Sequence, residues 1–136
     1  MTVLEKQITV AEFEQLLALP QNQDRLLELI HGEVVEKMPT EEHGRLSGNI
    51  VTSLNNFVKP RRLGRVGTEV RHHDAEDTLN ARLPAISFTS AKRPLVTRGA
   101  VPHLPDLAIE IKSPDDTVRH LREKADYYLA NGVQQV

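Results

Sequence analysis

Glu110 and Lys112, two residues apart in the segment PDLAIEIKS, form the pair in this chain best suited to phosphodiester chemistry. Along an extended strand, side chains two apart share a face, which sets these groups about 7 Å apart over the same space. A carboxylate there can help hold a Mg²⁺ or Mn²⁺ ion that polarises a phosphate, while an amine can orient or help deprotonate an attacking water. The backbone carbonyl of Ile111 would add a third oxygen. A half-buried strand also commonly exposes a Glu and a Lys to solvent, and on residue types alone that is the more frequent explanation.

The elements around the pair decide which explanation holds. Leu107, Ile109 and Ile111 alternate with Asp106, Ala108, Glu110 and Lys112, so the segment reads as a strand with one apolar and one polar face. Ser113, Pro114 and Asp116 then offer an N-cap, a first-turn proline and a capping acid. Val118, Leu121, Ala125 and Tyr128 mark a helix to about Ala130, closed by Asn131-Gly132, and Val133 to Val136 open a further strand. Upstream, Thr9 and Glu12 form a capping-box pattern before a helix over residues 10–19 that Pro20 ends. His31-Gly32 predicts a hairpin across 26–38. Leu46, Ile50, Leu54 and Val58 keep a helical period up to Pro60. GTEVRHH and RLPAISFT read as strands joined by DAEDTLNA, and residues 90–104 as loop.

Composition bounds the answer more loosely. A chain of 136 residues with 39% hydrophobic residues is sized for one domain, over 1–136. Seventeen Lys and Arg against 19 Asp and Glu give a net charge of −2, so contact with nucleic acid has to come from a local patch. Lys59, Arg61, Arg62 and Arg65 form the densest one; a solvated helix end competes with contact to a DNA backbone. The absence of cysteine removes disulfides, thiolate zinc sites and thiol nucleophiles, and fits a cytoplasmic setting. No stretch approaches the roughly 18 apolar residues of a membrane span, and the N-terminus lacks the pattern of a secretory signal.

The order LLELIHGEVV, a histidine opening a helix, GTEV, RLPAISF, LPDLAIEIKSPDD and EKADYYLANGVQQV resembles the Uma-two family of restriction-endonuclease-like proteins. The resemblance implies an α/β fold of the PD-(D/E)xK type, with a mixed β-sheet flanked by helices. It also implies a divalent metal (Mg²⁺ or Mn²⁺), DNA as substrate and endonuclease activity. Carried over residue by residue, Glu110 and Lys112 match the E-x-K element, with Glu110 and the Ile111 carbonyl as metal ligands. Glu28 matches the acidic position of the hairpin, His43 the helix-opening histidine and Lys124 the basic residue of the late helix.

The departures lie in three places. RLPAISF has Pro84-Ala85 where relatives carry Pro-Asp, which removes the second metal carboxylate and predicts an impaired enzyme, or a non-catalytic DNA-binding or dimerisation module. His31 stands where an Asp is usual, and the C-terminal part is truncated before a Trp-containing strand. Asp106 is about 13 Å from Glu110 along the strand and reads as support for it. Asp74, Glu76 and Asp77 read as solvated turn charge, and His72, His73 and His103 as surface residues. A homodimer is expected, because cutting two strands suits two-fold symmetry and the C-terminal strand leaves an edge open.

Overall fold

The computed structural model describes residues 6–136. Helix α1 (Val10–Leu17) starts where the sequence predicts, with Thr9 Oγ1 accepting from the Glu12 N–H at 3.2 Å and Glu12 Oε1 accepting from the Thr9 N–H at 3.2 Å. Pro20 opens a short 3₁₀ turn, Pro20–Asn22. Strands β1 (Leu26–Ile30) and β2 (Glu33–Lys37) then form the expected hairpin. Its two-residue turn holds His31 at φ 47° and Gly32 at φ 79°, the left-handed pair that matches the twist of the flanking strands.

Alternation gives this hairpin two unlike faces. Leu27 and Leu29 point to one side and join Val10, Phe13 and Ala81 in a buried apolar cluster under α1. Glu28 points to the other, with Val35 opposite it and Lys37 two residues further along that face.

Helix α2 (Glu41–Val58) is capped by Thr40, whose hydroxyl accepts from the His43 N–H. It leads to a second sheet of β3 (Gly64–Thr68), β4 (Ile86–Ser90) and β5 (Leu107–Ile109), in the order β3-β4-β5. All ladders are antiparallel. Parallel pairing is confined to single bridges, His72 with Val101 and Leu107 with Gln135, and an antiparallel bridge between Leu29 and Ala81 ties the hairpin to the segment preceding β4. Helices and sheet thus occur together as an α+β fold, with strands divided between two antiparallel sheets. The GTEVRHH segment is a ladder strand only to Thr68. There the chain bends: Glu69 takes φ 50°, and a Cβ on Gly67 would lie 2.6 Å from Val70 Cγ2, so glycine is needed where Val70 folds back.

The PDLAIEIKS strand is shorter and turned the other way from the sequence expectation. Its ladder ends at Ile109. Ala108, on the supposedly polar face, is fully buried, while Leu107 and Ile109 are half-buried. Helix α3 (Val118–Ala130) explains the reversal by covering the Ala108 face, where Ala108, Leu104, Tyr127, Tyr128 and Val133 form the second apolar cluster. The N-cap of α3 is Thr117, accepting from the His120 N–H at 3.1 Å. Ser113 and Asp116 instead close a turn of their own, with Asp116 Oδ2 accepting from the Ser113 N–H and hydroxyl.

Candidate active site

The ladder register brings the chemistry to one end of the second sheet. Thr68 pairs with Ile86 and Ile86 with Ile109. One residue further along, Glu69, Ala85 and Glu110 fall in a row, and the Glu69 N–H donates to the Ala85 carbonyl at 3.3 Å. Ala85 is 1% exposed. Ala85, where the sequence resemblance implies an aspartate, therefore lies inside the protein one residue beyond the Ile86–Ile109 pair, on the side of Glu110.

Glu110 is held among buried groups. Its Oε1 accepts from the hydroxyl of Tyr128 at 3.0 Å. Burial raises its pKa, the Lys37 and Lys124 ammonium groups partly oppose the rise, and Glu28 adds to it. Tyr128 is raised well above the ordinary tyrosine range by burial and by the Glu110 and Glu28 charges, so its hydroxyl keeps its proton and remains a donor.

The hairpin supplies the opposing wall. Glu28 is completely buried; its Oε1 accepts from the Leu83 N–H at 2.9 Å, and its Oε2 lies 3.4 Å from Lys124 Nζ. Burial works against the Lys124 ammonium, but Glu28, Glu110 and Asp116 outweigh it and the pKa is raised. Lys37 Nζ donates to Glu69 Oε2 at 2.8 Å and to the Leu83 carbonyl at 2.6 Å. The Leu83 peptide thus joins the two halves, giving its N–H to Glu28 and its carbonyl to Lys37. Arg71 closes the group, reaching the Leu27 carbonyl at 2.8 Å; burial lowers its pKa and the charge of Glu28 opposes that.

The residues singled out in the sequence are distributed unevenly over this centre. Glu28, Glu110 and Lys124 meet there. Lys112 does not: it is exposed, and its Nζ is 3.5 Å from the Ser113 carbonyl. Ile111 is half-buried just past the end of β5. His43 is buried, with its Nδ1 3.5 Å from Ser47 Oγ. Four participants were missed: Lys37, Tyr128, Glu69 and Arg71. Lys37 shares the hairpin face of Glu28 by simple alternation, and Tyr128 lies one helical turn from Lys124. Both could have been found from spacing. Glu69 sits beyond a left-handed bend that nothing in GTEV announces.

Other expectations change with burial. His72, expected at the surface, is 1% exposed, between the His103 carbonyl and Ser87 Oγ. Asp77 is not merely solvated, since its carboxylate accepts from the Leu79 N–H, Asn80 Nδ2 and the Tyr127 hydroxyl. Asp106 supports its strand as expected, with Oδ2 accepting from the Ser90 N–H at 2.8 Å. The basic cluster lies at the α2–β3 corner, at the Gly64 end of a strand whose other end carries the carboxylate row, roughly 13 Å away.

A cleft of about 800 Å³ adjoins the centre, with Lys124, Asp116, Arg82, Tyr127 and His31 among its lining residues. The carboxylates beside it do not fit a resident divalent ion as they stand. Position 85 offers no side-chain oxygen, and Glu28, Glu69 and Glu110 each already accept from a protein donor. Among the described residues, no group of three His, Asp or Glu side chains is arranged to hold a metal. No helix among them is long and apolar enough to cross a membrane.

Comparisons with known proteins agree with the fold and the order of these elements. The crystal structure of "a putative nuclease belonging to DUF820" from Anabaena variabilis superposes with a TM-score of 0.75 at 28% identity, covering 93% of this chain and 70% of that one. No curated protein matches the chain. The sequence model of the family Uma2, described as "Putative restriction endonuclease", matches residues 10–136. With the family match spanning nearly all of its length, and the ELI hairpin, the half-buried Glu110 and the YYLANGV helix arranged around one centre, this chain belongs to the Uma2 family of restriction-endonuclease-like proteins.

Proposed function

We propose that this chain is a DNA-directed nuclease of the Uma2 family whose hydrolytic centre is impaired, so that it engages DNA and cuts it slowly or not at all. The observation that carries this reading is Ala85, buried on the side of Glu110 where a second metal carboxylate would stand. A divalent ion in such a centre needs one or two carboxylates beside waters and phosphate oxygens. Here Glu110, in the neighbouring strand segment, and the Ile111 carbonyl do not make up for a missing side chain at position 85. Lys37 and Lys124, not Lys112, are the amines whose charges act on Glu110, and in this reading Lys124 positions the carboxylates while Glu28 anchors it. His43 keeps an accessory part at the start of α2. The basic corner of Lys59, Arg61, Arg62 and Arg65 supplies the contact to the DNA backbone, and the working unit is a homodimer, because cutting two strands suits two-fold symmetry.

The experiment is Ala85→Asp. With Mg²⁺ or Mn²⁺ present, the variant is expected to nick supercoiled plasmid at least ~100-fold faster than the natural chain, since the loss of one electrostatic participant commonly costs two to three orders of magnitude. Equal, rapid cleavage by the natural chain would remove the impairment. Failure of both proteins to bind or cut DNA at low salt would remove the nuclease reading altogether.

A further inference from the structure

The mismatch between a family that implies a metal and a centre that does not accommodate one leads to an overlooked residue. Three carboxylates, Glu28, Glu69 and Glu110, converge around the Leu83–Ala85 segment. Three buried or half-buried cations, Lys37, Lys124 and Arg71, face them. The charge of the centre is therefore already balanced by side chains. Lys37 is the most deeply committed of the two lysines: its side chain is 11% exposed, against 14% for Lys124, and it spans Glu69 and the Leu83 carbonyl at 2.8 and 2.6 Å. Its partner Glu69 is held in a left-handed backbone conformation, at φ 50°, and the second carboxylate oxygen, Oε1, is buried with no hydrogen-bond partner. A buried carboxylate oxygen without a hydrogen-bond partner is costly, so Glu69 depends on the Lys37 ammonium at its other oxygen.

We propose that the ammonium of Lys37, seated between Glu69 and the Leu83 carbonyl, is the resident cation of this centre and takes the structural place of a divalent metal. Lys37 reaches the site from the hairpin face shared with Glu28, so it ties β2 to the end of β3 and to the β4 entrance at Leu83. In this arrangement the centre is assembled without metal. Removal of the Lys37 charge leaves both oxygens of Glu69 without a partner, and a divalent ion becomes the natural replacement.

This inference rests on the reading that the natural centre lacks a working metal site, but its test uses no DNA and no activity. Thermal unfolding and calorimetric titration with Mn²⁺ are compared for the natural chain, Lys37→Met, and Lys37→Met combined with Glu69→Gln. The natural chain should show the same Tm in EDTA and in millimolar Mn²⁺. Lys37→Met should unfold at a lower temperature in EDTA, regain stability with Mn²⁺, and bind that ion at least ~10-fold more tightly than the natural chain. Adding Glu69→Gln should abolish the Mn²⁺ response. Metal stabilisation of the natural chain overturns the proposal, as does a Lys37→Met protein indifferent to Mn²⁺, or one whose response survives Glu69→Gln. If Lys37→Met does not fold in EDTA, refolding in Mn²⁺ takes its place: recovery supports the proposal and continued failure overturns it. Plasmid cleavage by Ala85→Asp decides the functional reading separately, so the two can fail independently.

Discussion

At the scale of single residues, burial decides what a titratable group can do. His72 is enclosed between the His103 carbonyl, 3.0 Å from Nδ1, and Ser87 Oγ, 3.2 Å from Nε2. Burial pushes its pKa down to about 4, against the opposing pull of the hydrogen bond to His103. The unfolded chain takes up a proton at an imidazole near pH 6.5, whereas the folded chain resists until about pH 4. Between those values the unfolded state binds more protons, so stability increases with pH. The contribution is complete above about pH 6.5 and is lost as the pH falls towards 4, on the order of 3 kcal/mol in all. Urea unfolding across this range should show that slope in the natural chain and a flatter one in His72→Gln; an unchanged slope would assign the effect to other groups. The same principle separates Glu110 from Lys112. Two residues apart in a strand they would share a face, but the ladder ends at Ile109, leaving one carboxylate under Tyr128 and one amine in solvent.

At the scale of elements, the position of α3 sets the site, because this helix carries both Lys124 and Tyr128. Its start is fixed by Thr117, whose hydroxyl accepts from the His120 N–H, and not by Ser113 and Pro114. Thr117→Ala should therefore lower stability by about 1 kcal/mol, the usual cost of an N-cap, in chemical denaturation. Pro114→Ala, outside the helix, should change it by less than about 0.5 kcal/mol. The reverse order would restore the cap that the sequence pattern favours. The hairpin shows the complementary case. His31-Gly32 was readable as a turn, and strict alternation along β1 and β2 separates the Leu27 and Leu29 face from the Glu28 and Lys37 face.

At the scale of the whole molecule, the outer edge of β5 is occupied by the chain itself. The Ala108 N–H donates to the Gln135 carbonyl at 3.1 Å, and the N–H groups of Gln134 and Gln135 donate to the Asp106 carbonyl. A second copy therefore has to meet the sheet beyond Gln134–Gln135, or meet another surface. For the proposed homodimer, light scattering should give the mass of two chains at micromolar concentration. The mass of one chain at every concentration would sink it. The basic corner and the carboxylate row stand at opposite ends of β3, a separation of roughly 13 Å.

The periodic elements were legible because periodicity is local. Both long helices, the hairpin and its turn can be read directly from residue spacing, while the order of ELI-x-G-E, E-x-K and the YYLANGV helix was legible as a resemblance to a family. Ala85 as a departure was visible only against that resemblance. Which side of PDLAIEIKS faces inward was not, because Ala108 and Glu110 are covered only by a helix that follows them in the chain. Nor could spacing show that Lys37, Glu69 and Tyr128 join Glu28, Glu110 and Lys124. Those six come from five segments, and their ionic and hydrogen-bonding partners exist only once α3 closes over the two sheets and water is excluded between them.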